Sequence, residues 1–331
     1  MAQGDIPAPN LAPEPSVTLD TAPPPQPSFL KKTFVGPNGL RAFWRLLIFV
    51  GMVGSIFFLI NFLVHRFRHH PAVLDFSART VLRQDGLAFL VVLLAAAVMG
   101  HFEKRTLADY GLPLRGAFGL RFWEGIVWGF LAESAAVGVL FLTGNASFQG
   151  FDTHGSIALY FAVMWAAAFL MVGFFEEFLF RGYPQFTLGT GIGFWPTAFL
   201  LSGLFWLGHM GNPGETWVGG LAACLAALVF CVSLRLTGNL WFAVGMHASW
   251  DWTETYFFGV ADSGMPANGH LLNTSLNGSK WMTGGTVGPE GSVVELLVCL
   301  AVIGLLFIRF RKPATVASAT LPVSQPSGQV A

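Results

Sequence analysis

Residues 173–184 read GFFEEFLFRGYP and place Glu176, Glu177 and Arg181 at the end of a long apolar run. On a helix Glu177 and Arg181 are four residues apart and share a face, so they can pair, while Glu176 is turned about 100° away from them. One carboxylate is thereby neutralised and the other faces something else. Ionisable groups inside membrane spans are costly and face the bundle interior or a wet cavity, which makes Glu176 a candidate site residue. The competing reading is an ion pair at a helix end with a snorkelling arginine.

The remainder of the chain decides between the two. Its 331 residues are 53% hydrophobic and 11% charged, far from the composition of a soluble domain. The expected fold class is all-α, a polytopic membrane helix bundle of about eight transmembrane helices with the site residues inside it. Net charge is zero, so neither a basic surface for nucleic acid nor an acidic tail is present. Cys224, Cys231 and Cys299 lie in apolar runs without CxxC spacing and read as small buried side chains.

Residues 1–40 are rich in Pro, Ala and Gln and are expected to be a disordered cytoplasmic tail, and 313–331 a second one. Between them lies one membrane domain, 41–312. Apolar runs at about 43–64, 86–99, 122–142, 157–175, 194–207, 217–234, 240–260 and 293–308 give eight spans. The second and fifth are short and need extending or tilting. With the N-terminus inside, thirteen of the Lys and Arg residues fall in cytoplasmic loops and five outside, eighteen in all, so both termini are expected to be cytoplasmic. KRTLADYGLPLRG, 104–116, reads as a turn-like linker at the membrane surface. His65, His69 and His70 sit beside arginines and read as a solvated interface.

Two more polar clusters interrupt apolar helices. LLSGLFWLGHMGNP, 200–213, puts His209 four residues after Phe205, and GNLWFAVGMHASWDW, 238–252, puts His247 and Asp251 on one face. Glu176, His209, His247 and Asp251 form a set suited to general acid and base work on water, and equally a set that could ligate zinc. Glu133, in mid-span, could pair with a group in the cavity, whereas Glu124, Glu254 and Glu295 read as helix-end or structural acids.

At these residues the sequence resembles the CPBP (CAAX protease and bacteriocin-processing, or Abi) family, whose signature runs EExxxR, FxxxH, then HxxxN or HxxxD. Here the motifs are EEFLFR (Glu176 to Arg181), FWLGH (Phe205 to His209) and HASWD (His247 to Asp251), in that order on separate expected helices. The resemblance covers about 122–258. It implies an intramembrane endopeptidase similar to the prenyl-protein type II CAAX endopeptidase, in the bacterial inner membrane, acting on a membrane-associated or lipidated peptide. By the same resemblance Glu176 is the base that activates water, His209 is its partner, and His247 with Asp251 polarises the scissile carbonyl. Glu177, Arg181 and Phe205 are supporting residues. An Asp in the last position orients His247, binds a metal or is protonated, which leaves zinc open as a cofactor. The alternatives weighed are a non-catalytic scaffold or bacteriocin self-immunity protein of the same fold, and a proton-coupled transporter. One expectation conflicts with the rest: eight full crossings would put His209 a bilayer away from Glu176.

Overall fold

The computed structural model describes residues 29–36, 39–67 and 76–310. His69, His70, residues 1–28 of the expected tail at 1–40, and the expected tail at 313–331 lie outside them. A short helix α1 (Phe29–Phe34) is followed by a two-residue antiparallel pair, β1 (Val35–Gly36) and β2 (Gly39–Leu40), so ordered structure begins before residue 41. Then come α2 (Ala42–Phe67), α3 (Ala78–Glu103), α4 (Leu120–Leu142), β3 (Ala146–Phe151), α5 (Gly155–Glu177), α6 (Tyr183–Ile192), α7 (Phe194–His209) and α8 (Trp217–Thr237). The chain continues with α9 (Trp241–Trp252), β4 (Leu272–Leu276), α10 (Lys280–Thr283) and α11 (Val293–Arg309). β4 pairs antiparallel with β3 in the register Ser147–Ser275, a clasp between two loops distant in sequence that the helical periodicity did not reveal.

The protein is a polytopic helical membrane protein. Among the described residues, five helical runs are long and apolar enough to cross a bilayer: Ala42–Phe67, Ala78–Glu103, Leu120–Leu142, Gly155–Ile192 and Trp217–Thr237. All eight apolar runs are helical, but α7, α9 and α11 are shorter than these as regular helices. The expected short second span is extended by its flanks into a helix of 26 residues, which includes Arg79 and Arg83, two of the five positive residues expected outside. Large apolar side chains stand exposed along α2, among them Phe58, Leu59 and Phe62, as a lipid-facing helix requires. The linker at 104–116 turns through a single 3-10 turn, Leu107–Tyr110, capped by Thr106 and Asp109.

The fourth run departs most from expectation. The apolar stretch ends at Phe175, but the helix does not: a π segment, Phe178–Gly182, carries it into α6, giving 38 continuous residues. Glu176 and Arg181 are therefore in the interior of a helix and not at its cytoplasmic end. Gly193, at φ +87°, reverses the chain, and α7 runs back beside α6. From Glu176 to the turn is about 24 Å of helix and from the turn to His209 about 22 Å, at 1.5 Å per residue. The two residues come to one level, and the conflict of a bilayer's separation disappears.

α9 is positioned by close backbone packing against α4. A Cβ on Gly129 would lie 2.1 Å from the Met246 carbonyl oxygen and 2.2 Å from Ser249 Oγ, and one on Gly125 would lie 2.1 Å from the Phe242 carbonyl. Small residues let membrane helices approach this closely, where packing and not the hydrophobic effect drives association. Gly129→Ala is expected to destabilise by about 1–3 kcal/mol through overpacking. Gly138→Ala, on the same helix with open space around it, should be neutral or stabilising by up to about 1 kcal/mol. Thermal midpoints of the two variants in detergent check this.

Candidate active site

The site is assembled around one ion pair, between Glu177 at the end of α5 and Arg181 in the π segment. Arg181 Nη1 lies 3.1 Å from Glu177 Oε1, and the two side chains are 1% and 0% exposed. π segments replace one turn's i to i+4 geometry with a wider one and recur at functional sites. A buried pair must meet its charges locally, and aromatic faces and an imidazole surround this one, while Glu177 Oε2 and Arg181 Nη2 have no hydrogen-bond partner. The Arg181 guanidinium stands 4.8 Å from the Phe205 ring centroid, 5.4 Å from Phe230 and 5.7 Å from Phe180. Glu177 Oε1 also lies 2.9 Å from His247 Nδ1.

Both histidines are held by this assembly. His247 stacks on Phe230 at 4.8 Å and 14°, and His209 packs on Phe205 at 4.3 Å. A salt-bridged carboxylate only accepts hydrogen bonds, so Nδ1 of His247 is the donor and Nε2 points onward. Nε2 lies 3.6 Å from Glu176 Oε2 and 3.7 Å from Asp251 Oδ2, beyond direct hydrogen bonding but close enough for one shared atom. His209 Nδ1 donates to the Phe205 backbone carbonyl at 2.9 Å, which leaves its Nε2 free as an acceptor.

Glu176, His209, His247 and Asp251 all line one cavity of about 400 Å³. The structure thus brings together the four residues singled out from the sequence. Phe205 sits beneath His209 as expected. Glu177, expected as a supporting residue paired with Arg181, is also bonded to His247. Glu133 is fully buried on α4 and is not bonded to the histidines, with both carboxylate oxygens unpaired. Glu124, by contrast, is a helix-end acid, paired with Arg121 and Arg309 at 2.6 and 2.5 Å.

Sequence reasoning did not single out Asp85, Glu215, Asp262 and Glu290, which line the same cavity. Asp85 lies within the extended flank of α3 and the others in loops, so no apolar run marked them as unusual. Burial raises the carboxyl of Asp262, with the neighbouring Glu290 charge adding to it, and burial likewise raises that of Glu215.

Two imidazoles and two carboxylates are donor chemistry that suits zinc, and the Glu177 bond to Nδ1 is the outer-shell partner a ligating histidine commonly has. Among the described residues, however, the group of three whose ligand atoms all lie within 4.8 Å of one another is a different one: Glu254, Asp262 and Glu290.

Arg181→Met takes the arginine from the buried Glu177 charge and leaves it only the His247 imidazole, a loss of about 3–5 kcal/mol, whereas Glu177→Met together with Arg181→Met should be less destabilised than either single variant. Unfolding midpoints of the three proteins test this.

Residues 158–253 match the family model described as Rce1-like, Type II CAAX prenyl endopeptidase Rce1-like. The matched segment contains Glu176, His209, His247 and Asp251. No curated protein and no solved structure matches the chain. The match supports an intramembrane endopeptidase of the CAAX class, a hydrolase with a peptide or protein substrate in a membrane setting. The resemblance implied by the three ordered motifs is borne out: through residues 158–253 this integral membrane protein is similar to the CAAX protease family.

Proposed function

We propose that the protein hydrolyses a peptide bond of a membrane-associated or lipidated peptide, with water activated by Glu176. What carries the reading is the junction of His247 Nε2 with Glu176 and Asp251 on the wall of a cavity within the helix bundle. An oxygen atom about 2.8 Å from each of these groups would be shared by them, the hydrogen-bond reach that a general base requires.

In this mechanism Glu176 takes a proton from the water while the resulting hydroxide adds to the scissile carbonyl carbon. His209, with Nε2 free as an acceptor, holds and orients the same water. His247, doubly protonated between Glu177 and Glu176, donates Nε2–H to the developing oxyanion, and Asp251 keeps the imidazole in place. Glu176 then returns its proton to the leaving amine as the carbon–nitrogen bond breaks. The Glu177–Arg181 pair fixes the His247 ring, so the donor is aimed before substrate arrives. A zinc ion, which the same four residues would hold, would supply Lewis-acid polarisation of the carbonyl or water.

Turnover of fluorogenic peptides, with and without a farnesyl group, by the purified chain in detergent tests the reading. Glu176→Gln and His247→Ala are each expected to lose about 10²–10⁴-fold in kcat, as removal of a proton-transfer or oxyanion group does. Retained turnover in both would overturn the residue assignment. A scaffold or self-immunity role predicts instead that function in the host survives Glu176→Gln. Loss of turnover on chelation, restored by zinc, would favour the metal form of the mechanism.

A further inference from the structure

The cavity has a second polar pole that the proposed peptidase chemistry does not use. Glu254 sits in a π segment, Thr253–Phe258, that prolongs α9. Asp262 follows in the loop after it, and Glu290 comes from the short 3-10 turn before α11. One oxygen from each lies within 4.8 Å of the others. Glu254 is fully buried and neither of its carboxylate oxygens has a hydrogen-bond partner. A buried, doubly unsatisfied carboxylate aimed into such a group is costly unless a proton or a cation meets it. None of the ion pairs described above involves these three residues.

The other two acids are held ready by hydroxyl donors. Thr255 Oγ1 donates to Asp262 Oδ2 at 3.1 Å, and Ser263 Oγ donates to Glu290 Oε2 at 2.8 Å. Each of these bonds engages one oxygen of its carboxylate.

From this geometry we infer that Glu254, Asp262 and Glu290 form a binding site for a hard divalent cation of calcium's class. Ligands are carboxylate oxygens alone, which select hard cations over zinc. An ion with oxygen ligands at about 2.4 Å spans about 4.8 Å from one ligand to the opposite one, so a single calcium-sized ion reaches all three. The bound ion ties three separate segments, the end of α9, the loop after it and the turn before α11, at one side of the cavity that also holds Glu176 and His247. Its role is to neutralise and pin that wall, and it does not depend on whether the neighbouring residues cleave peptides.

The test is ion binding by the full chain purified in detergent and stripped with chelator. Equilibrium dialysis against calcium should find one ion per chain, and millimolar calcium should raise the thermal midpoint by several degrees. Asp262→Asn and Glu290→Gln should each abolish the rise. Each variant removes one charge from a crowded buried group, so their ion-free midpoints should equal or exceed that of the ion-free wild type, which separates lost binding from misfolding. Glu176→Gln should keep the full rise. The inference fails if calcium, magnesium and manganese all leave the wild-type midpoint unmoved. It fails equally if the rise survives in both Asp262→Asn and Glu290→Gln, or if Glu176→Gln removes it, which would place the ion among the histidines instead.

Discussion

The buried pair of Glu177 and Arg181 is the constraint from which the site's geometry follows. An arginine that is 1% exposed in the middle of a 38-residue helix cannot snorkel to water, so its charge must be met on the spot. One carboxylate meets it directly, and the faces of Phe180, Phe205 and Phe230 surround the remainder. Two of those rings do double duty: Phe205 carries His209 and Phe230 carries His247. Side chains from α7, α8 and α9 are thus referred to one guanidinium. Such an arrangement offers preorganisation, because the histidines are oriented by groups that are themselves locked by packing.

The helices around this centre are placed by approach and reversal and not by hydrophobic patterning. In lipid, apolar residues face outward as readily as inward, so amphipathicity says little about which helix meets which. The small residues say more. Gly125 and Gly129 let α4 touch the backbone of α9 and bring His247 and Asp251 to a definite depth. Gly193 returns α7 along α6 and so carries His209 to the level of Glu176. The two π segments lie directly beside the two polar centres, one holding Arg181 of the Glu177–Arg181 pair and the other holding Glu254.

The cavity that results has two kinds of polar wall. On one side are imidazoles and carboxylates in alternation, chemistry suited to moving protons. On the other are carboxylates with hydroxyl donors and no imidazole, chemistry suited to holding a hard cation. α9 and its extension contribute to both groups, with His247 and Glu254 seven residues apart, about two turns of helix. Order at one wall is therefore mechanically tied to order at the other.

The sequence by itself determined the membrane setting, the helical class, the eight apolar runs and the four polar residues that share the cavity. These are legible because a charge or an imidazole within an apolar run is conspicuous whatever the tertiary arrangement, and because i to i+4 spacing is a local property. Only the tertiary structure decided where the runs end, since hydropathy stopped at Phe175 while the backbone hydrogen bonding of the helix continued through a π turn to Ile192. It alone decided that Glu177 serves His247, a contact between residues seventy positions apart. It alone brought in Asp85, Asp262 and Glu290, which are ordinary in a loop or a helix flank and become unusual only when long-range packing gathers them around a shared cavity.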